Sequence, residues 1–241
     1  MGYFILSASN LAVIGFCLMT LALAGKGKDG EVPKEAAVLG TIFNRLVLVN
    51  CFLGYFYRRS ILSVRYVAFF CILDSSLALI TYAIWIKEHD NGNLLKFFVD
   101  LWKMVNPYSG NKKRRFLIFQ ALGAFQAIIC LVAPDVLLST DVVAGIKLGS
   151  HAEGCFRVIF AIIFLHGIIH VTTGGTQIVF FPTASLFYRL AWNIPVLIIL
   201  GFMSFLPFSL VMILVIYDLA FSAIIVFAIP ATDHGMTKTK Q

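Results

Sequence analysis

Charge is scarce in this chain. Of 241 residues only 13% are Asp, Glu, Lys or Arg, while 60% are apolar and the mean hydropathy is +0.91. An ordinary soluble domain is about 45–50% apolar, so too little polar surface is left here to coat a water-soluble globule. Other absences narrow the reading further. The five cysteines (Cys17, Cys51, Cys71, Cys130 and Cys155) sit in or beside apolar runs, with no CxxC and no Cys/His ligand spacing. This points to buried thiols and away from structural disulfides or a metal site. No Asn-x-Ser/Thr sequon occurs, and Leu6 stands where an N-myristoylation signal needs Ser or Thr. The apolar N-terminus lacks a basic leader and places Lys26 and Lys28 after its hydrophobic run, so it reads as a retained first span instead of a cleaved secretory signal. No Ser/His/Asp set, paired catalytic carboxylates, zincin motif or dinucleotide fingerprint is present, and the expectation is a protein that is not an enzyme.

What the sequence does have is apolar runs of spanning length, at about 3–24, 37–57, 61–86, 116–134, 155–172, 182–203 and 205–229. Each is long enough to cross roughly 30 Å of hydrocarbon. They predict an all-α, polytopic transmembrane bundle of about seven spans, with a kink or break near Asn193 and Pro195 in the sixth. Three regions follow: residues 1–86 as a three-helix half, 87–115 as an interfacial segment, and 116–241 as a four-helix half.

The net charge is +7, but the basic residues flank apolar runs and form no stripe on a soluble face, so nucleic acid is not an expected partner. One membrane side carries Lys26, Lys28, Lys34, then Lys87 through Arg115, then Lys238 and Lys240; the other carries mainly Arg58, Arg59 and Lys147. The positive-inside rule places the C-terminus on the cytoplasmic, matrix or stromal side and the N-terminus opposite. Within the long loop, Asn93–Val105 sets Lys96, Asp100 and Lys103 on one face and apolar residues around the rest. That is the pattern of an amphipathic helix lying at headgroup level, with Trp102 as its interfacial anchor. Lys112, Lys113, Arg114 and Arg115 follow. Together with Arg58 and Arg59 they are candidate contacts for anionic phospholipid headgroups, cardiolipin among them, at about 1 kcal/mol per cation near a charged surface. An ordinary positive-inside determinant would look the same.

An internal repeat carries the buried charge. Phe43-Asn44-Arg45-Leu46 matches Phe187-Tyr188-Arg189-Leu190 at an offset of 144, and the same offset takes Asp74 to Asp218. In each half, Arg precedes Asp by 29 residues (74 − 45 and 218 − 189). Residues equidistant from the turn of a helical hairpin lie at equal depth. The midpoints fall at Arg59/Ser60 and Met203/Ser204, so each Arg can face its Asp roughly 20 Å from the turn, within the hydrocarbon layer. An isolated charge at mid-bilayer costs about 2.5–3.5 kcal/mol on insertion scales, and arginine keeps its charge in proteins. Ion pairs Arg45–Asp74 and Arg189–Asp218 are therefore expected, either as staples that fix helix rotation or as part of a solute or proton path; the staple is the favoured reading.

His166 and His170, at i and i+4 on the fifth span, form a speculative polar site. Haem or metal would need further ligands, and neither histidine has a counterpart in the first half, so no cofactor is expected. Arg157 has no evident intramembrane partner beyond Glu153 at the interface. The functional expectation is a non-catalytic integral subunit of a larger membrane assembly, with membrane lipids and other subunits as partners. Its favoured compartment is an energy-converting membrane such as the mitochondrial inner membrane. The alternative is a small-solute or ion carrier or channel with parallel internal repeats.

Overall fold

The computed structural model describes residues 1–23, 39–88, 93–105, 114–143, 145–174 and 185–228, and all regular structure among them is helical. Helix α1 is Gly2–Leu23, α2 Leu39–Arg58, α3 Val64–Glu88, α4 Leu94–Val105, α5 Arg114–Leu138, α6 His151–Gly174, α7 Ser185–Phe202 and α8 Phe208–Ala228. Six of them, α2, α3, α5, α6, α7 and α8, are long and apolar enough to cross a membrane. This is the architecture of a multi-pass helical membrane protein, because only helices that satisfy their own backbone can stand in hydrocarbon as separate spans. Side chains of α1 are described only to Val13. The fourth and fifth spans run longer than their apolar cores, since polar residues at membrane edges continue a helix that hydropathy alone ends early.

Helix α6 is the hub. Two thirds of its span is buried (67%), against 22% for α3 and 28% for α5, and it touches α1, α2, α4 and α5. Its contact with α5 is the most extensive in the fold, and the absence of side chains at Gly123 and Gly167 permits it. A Cβ on either glycine would stand 2.5–2.6 Å from the other's carbonyl oxygen. Small residues that let backbones approach are the usual device for packing helices in lipid. Leu6 of α1, Leu53 of α2, Phe156 and Ile162 of α6, and Leu197 and Leu210 of α7 and α8 are buried to 2% exposure or less around this axis.

The hairpins α2–α3 and α7–α8 flank the central helices. In both, the first helix contains a π-helical segment, at Asn44–Val49 and Tyr188–Asn193, followed by regular α-helix at Asn50–Arg58 and Ile194–Phe202. A left-handed Ser60 or Ser204, each at φ 56°, then turns the chain, and the next helix begins at Val64 or Phe208. All these boundaries are 144 residues apart. Burial recurs at the same spacing: Leu53 and Leu197, Leu62 and Leu206, Tyr66 and Leu210, Phe70 and Leu214 are buried pairs.

The π-helical segments have identifiable supports. Such a segment displaces backbone carbonyls from their i+4 donors. In α2, Asn50 Nδ2 donates to Leu46 O at 2.8 Å and to Ser75 Oγ on α3 at 2.9 Å. In α7, Pro195 stands two residues past the segment's end, and proline has no N–H to offer the preceding turn. The expected irregularity near Asn193 and Pro195 thus takes the form of a π segment ending at Asn193.

Both hairpin turns lie on one face of the bundle, together with the starts of α1 and α6. A Cβ at Gly2 would collide with the carbonyl of Phe205, and one at Gly154 with the carbonyl of Ile61. Ile61 and Phe205 are again 144 apart, so α6 starts against the first hairpin turn and α1 against the second. Helices α1, α3, α6 and α8 therefore run away from this face, α2, α5 and α7 run toward it, and the two hairpins point the same way. At the opposite end, Phe97 of α4 packs on Leu39, Ile42, Tyr82 and Trp85 of α2 and α3.

Candidate functional site

The π-helical segments place Arg45 and Arg189 at equivalent points, both 3% exposed, facing Asp74 and Asp218 on the following helices, at 4% and 3%. The two pairs differ in closeness. Arg189 Nη1 donates directly to Asp218 Oδ1, whereas Arg45 Nε stands 4.0 Å from Asp74 Oδ1.

Around Arg189 the polar groups of five helices converge. Its Nε donates to Ser185 Oγ (3.4 Å) and its Nη2 to Gln126 Oε1 of α5 (3.3 Å). The guanidinium lies over the ring of Phe221, 4.7 Å from its centroid, an arrangement in which the ring face attracts the cation. Asp218 Oδ2 accepts from Asn193 Nδ2 at 2.5 Å, and Asn193 Oδ1 accepts from Asn10 Nδ2 of α1 at 3.0 Å. Gln126 is itself held, since its Nε2 donates to Ile163 O of α6 at 2.6 Å. A charge buried in hydrocarbon is tolerable when paired and hydrogen-bonded, and each of the three Arg189 guanidinium nitrogens donates to an acceptor on α5, α7 or α8, with α1 joining through Asn10 and Asn193.

His166 and His170 join the edge of this network. His166 Nδ1 is 3.1 Å from Ile162 O, one turn back on its own helix, and its ring stacks on Tyr188 with centroids 5.0 Å apart. His170 Nε2 is 3.4 Å from Ser185 Oγ, the hydroxyl that also receives Arg189 Nε. The two imidazoles thus engage different neighbours and do not converge. Among the described residues no group of three or more His, Cys, Asp or Glu side chains could hold a metal ion.

Among the described residues each ion pair borders a small cavity of about 10 Å³. That beside Arg189 and Asp218 is closed by Leu6, Asn10, His166 and Tyr217, that beside Arg45 and Asp74 by Leu11, Asn44, Leu165 and Ile169. Ile162 of α6 lines both. A volume of this size is about one water molecule.

The membrane-edge candidates fall elsewhere. Arg58 and Arg59 are exposed beside the first hairpin turn, with Arg59 Nη1 donating to Tyr55 Oη at 3.0 Å. Trp102 is 69% exposed on α4, as are Leu94 and Leu95 at 62% and 75%. Lys112 and Lys113 lie outside the described residues, and Arg114 and Arg115 open α5 with side chains outside the described set. Arg157 has more partners than its sequence neighbourhood offers: Nε donates to Glu153 Oε1 and Nη2 to Asp135 Oδ1 at the end of α5, both at 2.7 Å. Sequence reasoning missed Asp135, as it missed Gln126, Asn10 and Ser185. A lone amide inside an apolar run was the available signal for Gln126 and Asn10.

Searches against family models, curated proteins and solved structures return no match, so the functional reading rests on this geometry.

Proposed function

We propose that the chain is a non-catalytic, seven-span membrane subunit built from two parallel repeats, whose Arg–Asp pairs staple the bundle and present it as a rigid scaffold within a larger membrane complex. The carrying observation is the tight surround of both buried pairs: among the described residues each adjoins a cavity of about 10 Å³, room for about one water and no organic solute. The duplication is supported by the shared 144-residue spacing of the π segments, the turn serines and the helix starts. Helix α1, with no charged side chain in its 22 residues, supplies the seventh span.

Sidedness follows the basic residues: α4 and the Lys112–Arg115 cluster face the matrix or cytoplasm, and the hairpin turns face the opposite side. The exposed apolar face of α4 rests at headgroup level, and the cluster beside it binds anionic phospholipid. A mitochondrial inner membrane, rich in such lipid, is the proposed location. Purification from native membranes in mild detergent tests the scaffold reading. The expected result is migration on a native gel in a complex of fixed composition well above the 26.7 kDa chain; a species containing only this chain and lipid would overturn it.

One observation favours a second reading, that of a carrier. π-helical turns recur at functional sites, and both here contain the intramembrane arginine. On that reading the cavities beside the pairs widen in another state and solute passes between the halves. Reconstitution into liposomes decides it: substrate-dependent flux that Asp218→Asn abolishes while the fold persists supports the carrier.

A further inference from the structure

Asn44 opens the π-helical segment of α2 and is 1% exposed. Neither its Nδ2 nor its Oδ1 has a hydrogen-bond partner among the described residues. A buried amide in that condition is rare, because it has given up water on both its donor and its acceptor side and regained nothing. The amide borders the cavity of about 10 Å³ that also touches Arg45 and Asp74. Across the same space Arg45 Nε and Asp74 Oδ1 stand 4.0 Å apart, longer than a direct hydrogen bond and suited to a bridge. The remaining walls, Leu11, Val49, Ile162, Leu165 and Ile169, are apolar. Size and polarity together meet the requirement for a buried water, which needs about one probe volume and two or more polar partners.

The second half provides the contrast. The position equivalent to Asn44 is Tyr188, whose ring is stacked on His166, and Arg189 and Asp218 bond directly to each other. Gln126 of α5 supplies a further acceptor to Arg189. We infer that Asn44, Arg45 and Asp74 form a binding site for one ordered water, held by the Asn44 amide and the Asp74 carboxylate, so that the first ion pair is water-bridged where the second is direct. This site stands whether the bundle serves as scaffold or carrier.

Density for the full-length protein in lipid nanodiscs, at a resolution that shows waters, provides the direct test. The expected result is a peak about 2.6–3.2 Å from both Asn44 and Asp74; a dry cavity, or an Asn44 amide bonded to protein, overturns the assignment. Radiolytic hydroxyl labelling provides an independent reading, since a bound water oxidises the apolar side chains around it. Leu11, Leu165 and Ile169 become labelled in the wild type, and the Asn44→Leu variant loses that labelling while Leu6 and Leu214, beside the other cavity, keep their wild-type pattern. Wild-type protein unlabelled at all three positions, or Asn44→Leu labelled as strongly as wild type, overturns it.

Discussion

Ser60 and Ser204 adopt the same left-handed backbone conformation, φ 56°, 144 residues apart, each closing a helical hairpin. A left-handed residue with a Cβ costs about 1–2 kcal/mol, and β-branched side chains tolerate the region worst. Serine already bears that cost, so Ser60→Val and Ser204→Val should each be destabilising through the added β-branch alone, whereas the glycine variants should be neutral or slightly stabilising. Denaturation midpoints in detergent micelles measure this. Equal tolerance of valine and glycine at either site would show that the turn conformation is not the one described.

The direct pair and the spaced pair should respond differently to loss of the acid. Asp218→Asn removes the counter-charge that Arg189 touches, and breaking a buried pair from one side costs about 3–5 kcal/mol. Asp74→Asn should cost visibly less, because its carboxylate stands 4.0 Å from Arg45 Nε. The paired replacement Arg189→Met with Asp218→Leu should recover most of the loss, since a staple needs packing and no charge. A double variant as unstable as the single one would point instead to a requirement for charge at this position.

That hairpin pairing was legible in the sequence because depth is a one-dimensional constraint: two charges that cannot be left alone in hydrocarbon, equidistant from a turn, must meet. The same midpoint argument applied to Asp135 and Arg157 gives position 146, in the loop between α5 and α6, and identifies the partner that Arg157 finds. The network around Arg189 was not legible. Ser185, Gln126, Asn193 and Asn10 come from different helices, and their convergence depends on helix rotation, which hydropathy does not encode. Nor was the similar setting of Gly2 in α1 and Gly154 in α6, each against the backbone of a hairpin turn, since the two glycines are 152 apart instead of 144.

Two glycines separate close packing from helix propensity. Gly154→Ala drives a methyl into the Ile61 carbonyl, backbone that cannot move without shifting the turn, and overpacking of this kind costs about 1–3 kcal/mol. Gly54, also helical, has open space where a Cβ would stand, so Gly54→Ala should be neutral or gain up to about 1 kcal/mol from helix propensity. The same midpoints read both. Similar effects at the two sites would contradict the close approach of α6 to the first turn.

Lipid retention tests the basic edge. Replacing Lys112, Lys113, Arg114 and Arg115 by glutamine removes about 1 kcal/mol of headgroup attraction per charge, and Trp102→Ala removes the anchor exposed on α4. Native mass spectrometry should show fewer bound anionic phospholipids for the glutamine variant, with an unchanged number of zwitterionic ones. Anionic lipid retained at the wild-type level would confine the cluster to setting topology.

Glu153 and Asp135 share one arginine but not one environment. Glu153, 2% exposed, accepts the Gly149 N–H at 2.6 Å as well as Arg157 Nε, so it ties the entry of α6 to the loop before it. The Asp135 side chain is 68% exposed, and an exposed ion pair contributes about 0–1 kcal/mol because water and salt screen it. Glu153→Gln preserves shape but weakens two charge-assisted bonds in a dry setting, each of which is about twice as strong as its neutral equivalent. It should cost about 2–3 kcal/mol in all, and the deficit should persist at high salt because the buried carboxylate is poorly screened. Asp135→Asn should cost under about 1 kcal/mol and should vanish as salt is raised. Unfolding midpoints at low and high ionic strength separate the two, and a salt-insensitive loss at Asp135 would mean that the end of α5 is covered by something the isolated chain lacks.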